Sequence, residues 1–239
     1  MSYATLLFDL DHTLFDSDAS EAQAFAHALA AAGIDEPRQF FPTYDAINRG
    51  LWAAVERGEL PTAAIKRVRF ERLVAAAGLD ADPELLADTF LVGMGQFGQL
   101  YPGARDVLEA LAARGDGAMA LVTNGLSEVQ RARIARLELA PYFAAIVVSS
   151  EVGVAKPARA IFDLAFAQLG EPPRATAVMI GDSLTSDLRG GRAAGIATCW
   201  FNPHRREADD RTLIDHELTA LDEVLTLAPL SRALAAAAP

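Results

Sequence analysis

Two carboxylates one residue apart, Asp9 and Asp11, lie in the segment LLFDLDHTLFD near the start of the chain. Like charges this close repel each other, so holding them together lowers stability unless a partner or a function compensates. A carboxylate with one oxygen facing a substrate can act as a nucleophile. A second carboxylate beside it can serve as general acid and base. The pair therefore indicates nucleophilic and acid–base chemistry.

Polar residues also follow three later apolar segments, in TNG (Thr123 to Gly125), AKP (Ala155 to Pro157) and GDSLTSD (Gly181 to Asp187). Parallel strands all end at one edge of a sheet, so these groups are expected to converge with the first pair. The cluster would hold three carboxylates, from Asp9, Asp11 and Asp182. Oxygen ligands of this kind suit Mg²⁺, which typically uses one or two protein carboxylates together with water and substrate phosphate.

The elements that would position these residues alternate along the second half of the chain. Helical patterns such as ARDVLEALAARG and SEVQRARIARLEL separate the apolar segments AMALVT, AAIVVSS, TAVMIGD and IATCWF, which follow a first strand at residues 6–10. This alternation predicts an α/β fold with a doubly wound parallel sheet covered on both faces.

Residues 17–100 have a different pattern. Ala-rich segments such as ASEAQAFAHALAAAG and PELLADTFLVG repeat apolar residues at helical spacing, and no strand is predicted there. We therefore predict an all-helical cap at residues 17–100, inserted into a core of residues 1–16 and 101–239. The cap would lie over the carboxyl edge of the sheet, where open α/β sheets bind ligands.

Composition limits the classes of function. Of 239 residues, 51% are hydrophobic and 22% charged, which is typical of a globular protein. The net charge of −11 argues against a nucleic-acid polymer as partner. With no apolar run near the roughly 20 residues of a membrane span, no secretory signal pattern and a single cysteine, Cys199, we expect a cytoplasmic protein without a membrane partner.

The four motifs DLDHT, TNG, Lys156-Pro157 and GDSLTSD resemble, in order and spacing, those of the haloacid dehalogenase superfamily of phosphohydrolases. The resemblance covers nearly the whole chain and implies a Rossmann-like core with a helical cap. It implies that Asp9 attacks phosphorus to form an aspartyl-phosphate. Asp11 would protonate the leaving alkoxide and then deprotonate the hydrolytic water.

The same resemblance implies roles for the other motif residues. The carboxylates of Asp9 and Asp182, with the carbonyl of Asp11, would bind Mg²⁺. The resemblance also implies that Thr123 and the Asn124 amide donate hydrogen bonds to phosphoryl oxygens. Lys156 would pair with both the phosphate and Asp9. Asp187, just inside the next helix, would orient Lys156 or a metal-bound water.

Within the superfamily, the chain is most similar to the pyrimidine 5′-nucleotidase group, on FDLDHTLFD, VTNGLSEVQ, SEVGVAKP and especially MIGDSLTSDLRGGRAAGIATCWFNP. That similarity implies a small phosphomonoester such as dUMP, UMP or TMP. Four alternatives stay open, namely a sugar-phosphate phosphatase, a mutase, a 2-haloacid dehalogenase and a non-enzymatic binding module. Asp11 disfavours the dehalogenase, because halide leaves without protonation.

Several cap residues allow a functional and a structural interpretation. A base-binding platform or packing between helices would explain the aromatic residues Phe40, Phe41, Tyr44 and Trp52, and we favour packing. Substrate contact or a solvated face would explain Arg49, Arg67 and Arg69, and we favour the solvated face. His12, beside the first motif, is expected to be structural or peripheral to the substrate.

Overall fold

Six short strands form one parallel sheet in residues 2–115 and 117–228, the part of the chain described by this computed structural model. The strands are β1 (Thr5–Phe8), β2 (Ala118–Thr123), β3 (Ala145–Val148), β4 (Ala177–Gly181), β5 (Ala197–Phe201) and β6 (His216–Leu218). Their order in the sheet is β3-β2-β1-β4-β5-β6, and all neighbours are parallel. The predicted doubly wound α/β sheet is confirmed, and β1 lies at its centre.

The central strands are mostly apolar because both faces of the sheet are covered. On β1, Leu6 and Phe8 pack into one buried cluster, while Leu7 packs into a second cluster on the opposite face. The neighbouring strand β4 alternates in the same way, with Ile180 in the first cluster and Met179 in the second. Because successive side chains of a strand point to opposite faces, β1 and β4 each contribute to two separate cores.

Nine α-helices accompany the sheet within the described residues. Four lie between β1 and β2 in the chain, before the first helix of the α/β alternation: α1 (Ser17–Ala31), α2 (Phe41–Glu56), α3 (Ile65–Ala77) and α4 (Pro83–Gln96). The others are α5 (Ala104–Arg114), α6 (Ser127–Arg136), α7 (Ser149–Val152), α8 (Arg159–Gln168) and α9 (Arg189–Ala194). No helix in residues 2–115 or 117–228 is both long and apolar enough to cross a membrane.

The helices α1 to α4 pack around an apolar cluster of their own, which contains Phe25, Tyr44, Phe70 and Phe90. The two chain segments that connect these helices to the sheet run side by side. Asp16 donates its backbone N–H to Gln99 at 2.9 Å, and Tyr101 donates to Leu14 at 2.9 Å. A separate core and a paired connection are consistent with the predicted division into residues 17–100 and the rest, which stays a prediction. Residues 229–239 of that division lie outside the described residues.

Candidate active site

The register of the three central strands brings the motifs to one edge of the sheet. Phe8, the last residue of β1, pairs with Leu121 of β2 and with Ile180 of β4. The residues that follow these pairs therefore emerge together, and they include Asp9, Thr123 and Asp182. The predicted convergence of the motifs is observed.

Lys156 lies between two buried carboxylates at this edge. Its Nζ is 2.8 Å from Asp9 Oδ1 and 2.7 Å from Asp187 Oδ1, and its side chain is 1% exposed. Burial alone would lower the pKa of Lys156, but the carboxylates of Asp187 and Asp9 raise it. The two carboxylates thus favour the charged form of Lys156, which holds the Asp9 carboxylate in place.

The backbone of Lys156 is fixed by the side chain of Asn124. Asn124 Oδ1 accepts the Lys156 N–H at 2.8 Å, and Asn124 Nδ2 donates to the Lys156 carbonyl at 2.9 Å. Thr123 is fully buried, and its hydroxyl accepts a hydrogen bond from Gln130 Nε2 at 2.8 Å. The two predicted phosphate donors thus also have structural contacts, Asn124 with Lys156 and Thr123 with Gln130 of α6.

Asp187 reaches the site because Gly181 leaves room for it. A Cβ at position 181 would lie 2.2 Å from Asp187 Oδ2, which no side chain could tolerate. Asp187 Oδ2 accepts the Ser183 N–H at 3.0 Å, while its Oδ1 contacts Lys156. Both oxygens of this fully buried carboxylate are therefore engaged by the protein. This arrangement suits the predicted role of orienting Lys156.

Asp182 follows β4 and faces the cavity above the sheet edge. Its backbone carbonyl accepts hydrogen bonds from Trp200 Nε1 and from Arg206 Nη2, each at 2.9 Å. Arg206 Nη2 also lies 3.3 Å from Asp182 Oδ2. Burial raises the pKa of Asp182 to about 6, and the charge of Asp9 adds to this effect, whereas His12, Arg206 and Lys156 oppose it. The positive charges near Asp182 thus do not fully offset the cost of burying its carboxylate.

The acidic cluster has the donor set of a site for a hard divalent cation. Asp9, Asp182 and Asp187 each offer a carboxylate oxygen, and these oxygens all lie within 4.8 Å of one another. Burial raises the pKa of Asp9, Lys156 opposes the rise, and the charges of Asp187 and Asp11 add to it. A cation would relieve this repulsion, and oxygen-only donors suit Mg²⁺.

The carboxylate of Asp11 turns away from this cluster towards α6 and the start of α1. Arg133 Nη1 lies 2.5 Å from Asp11 Oδ1, and Gln130 Nε2 donates to Oδ2 at 2.6 Å. Ser17 also donates its hydroxyl to Asp11 Oδ1. Burial alone would raise the pKa of Asp11, but Arg133 and the hydrogen bonds from Ser17 and Gln130 lower it.

Ser17, Gln130 and Arg133 were not among the predicted site residues. Gln130 and Arg133 are 1% exposed and lie three residues apart, on the same face of α6. A signal was present in the sequence, because Val129, Gln130, Arg133 and Ile134 fall on the face of α6 that an amphipathic helix would bury. Polar residues on such a face need partners, and a nearby carboxylate is one.

A cavity of about 580 Å³ separates the sheet edge from the helices α1 to α4. Asp9, Asp11, Asn124 and Asp182 line its floor, whereas Thr123, Lys156 and Asp187 are buried outside its lining. His12, predicted to be peripheral, lines the wall with a left-handed backbone (φ 58°). The volume is in the range of sites for small-molecule ligands.

The opposite wall contains a hydrogen-bonded group from α1, α2 and α3. Glu21 Oε1 accepts from Tyr44 OH at 2.7 Å and from Asn48 Nδ2 at 2.6 Å. Arg69 Nη1 donates to Tyr44 OH at 3.2 Å. Asn48 is 6% exposed, and its Oδ1 is buried without a hydrogen-bond partner in the described structure. Glu21 is therefore the acceptor of this group that lines the cavity, whereas Asn48 Oδ1 has almost no accessible surface.

The expectation of a solvated face was wrong for Arg69, which is 3% exposed because its guanidinium lies over the Phe90 ring and bonds Tyr44. Arg67 is exposed and pairs with Glu71, as expected. Packing between helices is confirmed for Tyr44, whereas Trp52 lines the cavity. The remaining aromatics, Phe40 and Phe41, pack against the helical cluster.

Comparison with known proteins connects this geometry to a family. Residues 3–195 match the family model of haloacid dehalogenase-like hydrolases. The chain is 34% identical to the pyrimidine 5′-nucleotidase PynA of Streptococcus pneumoniae, over 94% of each chain. It is 34% identical to the pyrimidine 5′-nucleotidase YjjG of Escherichia coli, over 94% of this chain and 97% of that one. It also resembles the magnesium-bound crystal structure of the HAD-hydrolase YfnB from Bacillus subtilis. The TM-score is 0.85 and the identity 32%, over 96% of this chain and 100% of that one.

Proposed function

Because this chain belongs to the haloacid dehalogenase-like hydrolases, we propose that it is a Mg²⁺-dependent phosphomonoester hydrolase acting on pyrimidine nucleoside monophosphates. One observation carries the chemistry. Asp9 lies on the cavity floor, held by Lys156 at 2.8 Å and adjacent to Asp182. A fixed carboxylate beside a buried cation is arranged for nucleophilic attack on a phosphate ester.

In the first step, an oxygen of Asp9 forms a bond to phosphorus while the bond to the leaving oxygen breaks. The product is an aspartyl-phosphate and a free alcohol. Lys156 offsets the negative charge that gathers on the phosphoryl oxygens in the transition state. Thr123 and Asn124 would donate hydrogen bonds to these oxygens, which requires the buried Thr123 hydroxyl to face the phosphate and the Asn124 amide to leave the Lys156 carbonyl.

Asp11 supplies the proton that the leaving alkoxide requires. Once it has given that proton to the ester oxygen, its carboxylate takes a proton from a water, and the water attacks phosphorus to release phosphate and regenerate Asp9. Asp11 lines the same cavity floor as Asp9, two residues further along the chain. An alcohol leaving group needs this acid, which favours an ester substrate over a haloacid.

The carboxylates of Asp9 and Asp182 and the carbonyl of Asp11 would hold Mg²⁺. When bound, the ion supplies charge stabilisation of the phosphoryl group. Asp187 would stay with Lys156, because both of its oxygens are already engaged.

We expect Mg²⁺ to stabilise the folded chain even without substrate. A ligand that binds only the folded state adds about 2.7 kcal/mol at a hundred times its Kd. Thermal unfolding with and without Mg²⁺ should therefore show a higher Tm with the ion, and chelation should reverse the shift. Asp182→Asn should lose most of the shift, whereas Asp163→Asn, at a half-exposed carboxylate of α8 that pairs with Arg174, should keep it. An equal shift in both variants would contradict the assigned ligands.

The substrate class is supported by the cavity wall as well as by the relatives. The Glu21 carboxylate is an acceptor that lines the cavity, and the nearby arginines Arg49 and Arg69 contact Asp45 and Tyr44. A neutral leaving group with N–H and O–H donors suits such a wall, and Trp52 offers a ring for stacking. A nucleoside has these properties, whereas a leaving group with a carboxylate or a second phosphate would meet the Glu21 carboxylate.

Phosphate release from a panel of esters, with and without Mg²⁺, tests the proposal. We expect kcat/KM for UMP, dUMP and TMP to exceed that for ribose 5-phosphate and glucose 6-phosphate by about tenfold or more, which corresponds to about 1.4 kcal/mol of added transition-state binding. Preference for the sugar phosphates would keep the chemistry and discard the nucleotidase assignment. Conversion of a sugar phosphate to its isomer would favour a mutase, and halide release from 2-haloacids would favour a dehalogenase.

Three further expectations stay predictions. They are a cytoplasmic location, the lack of a nucleic-acid polymer or membrane as partner, and movement of residues 17–100 as a cap. Cap movement is supported by the crystal structure of YfnB, which is described as revealing interdomain movement.

A further inference from the structure

We propose that Arg133 is a positioning residue, which fixes the Asp11 carboxylate for proton transfer to the leaving group and links it to the helical segment. This inference rests on the proposed function, because it requires Asp11 to serve as the acid. It adds a residue outside the four motifs, on the helix α6 that follows the second one.

The Asp11 carboxylate is held at both oxygens. Arg133 Nη1 contacts Oδ1 at 2.5 Å, and Gln130 Nε2 donates to Oδ2 at 2.6 Å. The Ser17 hydroxyl also donates to Oδ1. A carboxylate held at both ends has one orientation. Proton transfer requires the acid within hydrogen-bond reach of the leaving oxygen, so its orientation bears directly on the rate. The same contacts lower the pKa of Asp11, so what they contribute is its direction and not its protonated form.

The guanidinium of Arg133 is itself fixed by contacts to the helical segment. Its Nε donates to the Met94 carbonyl at 2.8 Å, and its Nη2 lies 3.2 Å from Ser20 Oγ. Its carbon centre lies 4.3 Å from the centroid of the Phe15 ring. One side chain therefore joins α6, α4, α1 and the Asp11 loop.

The buried charge of Arg133 exceeds what its contacts to the helical segment require. Arg133 is 1% exposed, and burying a charge is costly unless it is paired. The charge serves both the ion pair with Asp11 and the contact with the Phe15 ring, whereas the contacts to Met94 and Ser20 need only neutral donors. Of the two charged contacts, the ion pair is the one that touches the proposed acid.

A neighbouring arginine provides a matched control. Arg136, one turn further along α6, donates to the carbonyls of Gly95, Phe97 and Gly98 in the helical segment. It therefore links the same helix to the same segment but does not contact Asp11. If Arg133 acts through Asp11, substituting Arg136 should not reproduce the effect of substituting Arg133.

The test compares two esters that differ in their need for an acid. The alkoxide leaving group of UMP requires a proton, whereas p-nitrophenolate leaves readily as an anion. The quantity to compare is kcat/KM, which reports the steps up to transfer of phosphate to Asp9. We expect Arg133→Gln to lose about 10²-fold for UMP, in line with the usual contribution of a positioned acid, and about threefold or less for p-nitrophenyl phosphate.

Three other variants show whether the loss in Arg133→Gln acts through Asp11. Arg136→Gln should affect both esters equally, and Arg133→Lys should recover part of the loss for UMP. Asp11→Asn should show the same ester dependence, and adding Arg133→Gln to it should cost little more, because the two residues act as a unit.

Equal losses for both esters in Arg133→Gln, or an ester dependence in Arg136→Gln of the same size, would overturn the positioning role. Turnover of p-nitrophenyl phosphate also reports whether Arg133→Gln folds, and Arg133→Lys repeats the comparison with a charged side chain. Failure of the proposed function looks different, since the wild-type chain would then release phosphate from neither ester.

Discussion

Replacing Asp9 by asparagine is expected to abolish phosphate release from every ester that the wild-type chain hydrolyses. The amide is nearly isosteric with the carboxylate but is a far poorer nucleophile, so the aspartyl-phosphate cannot form. Removal of a catalytic nucleophile typically costs kcat on the order of 10⁴-fold or more. Phosphate release with saturating Mg²⁺ and a low background of contaminating phosphatase is the measurement.

Asp16→Asn is the matched control for this variant. Asp16 lies seven residues away and caps α1 by accepting the Ala19 N–H at 3.3 Å, a role that asparagine can also fill. Its activity should stay within about twofold of the wild type, since caps are worth about 1 kcal/mol of stability and do not touch substrate. Residual turnover of more than a few per cent in Asp9→Asn would assign the nucleophile elsewhere.

Replacing Lys156 by methionine is expected to destabilise the fold strongly as well as to slow the reaction. The substitution leaves the buried carboxylates of Asp9 and Asp187 facing each other without the cation between them. Breaking a buried pair in this way typically costs about 3–5 kcal/mol. Urea unfolding should therefore give a markedly lower midpoint, with little change in slope.

Two further variants separate the charge effect from simple loss of a lysine. Lys66 pairs with Asp88 at 2.9 Å on the surface, so Lys66→Met should cost less than about 1 kcal/mol. Adding Asp187→Asn to Lys156→Met removes one of the unpaired charges and should restore part of the lost stability. If Lys156→Met were no more harmful than Lys66→Met, the buried pair would not be an important stabilising contact.

The central strands were predictable because burial on both faces leaves an unbroken apolar run. AMALVT was predicted as a strand, and β2 spans Ala118–Thr123. The edge strand β6 has only three residues, His216–Leu218, and two of them are polar. Its apolar pattern is too short to distinguish from a loop, and only pairing with β5 reveals it.

The site was predictable where its residues follow strands and less so where they come from helices. Asp9, Thr123 and Asp182 share one edge because strand ends do, which the alternation of elements already implied. Arg133 and Arg69 contact the site or its wall from helical faces. The way in which α1 to α4 pack on the sheet decides which helix faces contact the site. The spacing of apolar residues along one helix does not reveal this packing.

The paired connection between the sheet and the helical segment has an evolutionary consequence. Because Phe15 and Leu100 lie side by side as a bridge, the segment enters and leaves the sheet at nearly one point. An insertion whose ends meet can be lengthened, shortened or exchanged without moving the strands on either side of it. Lineages could therefore acquire new specificities by altering residues 17–100 while the nucleophile and its lysine stayed in place. Chimaeras joined at these two residues would be the natural starting point for redesign.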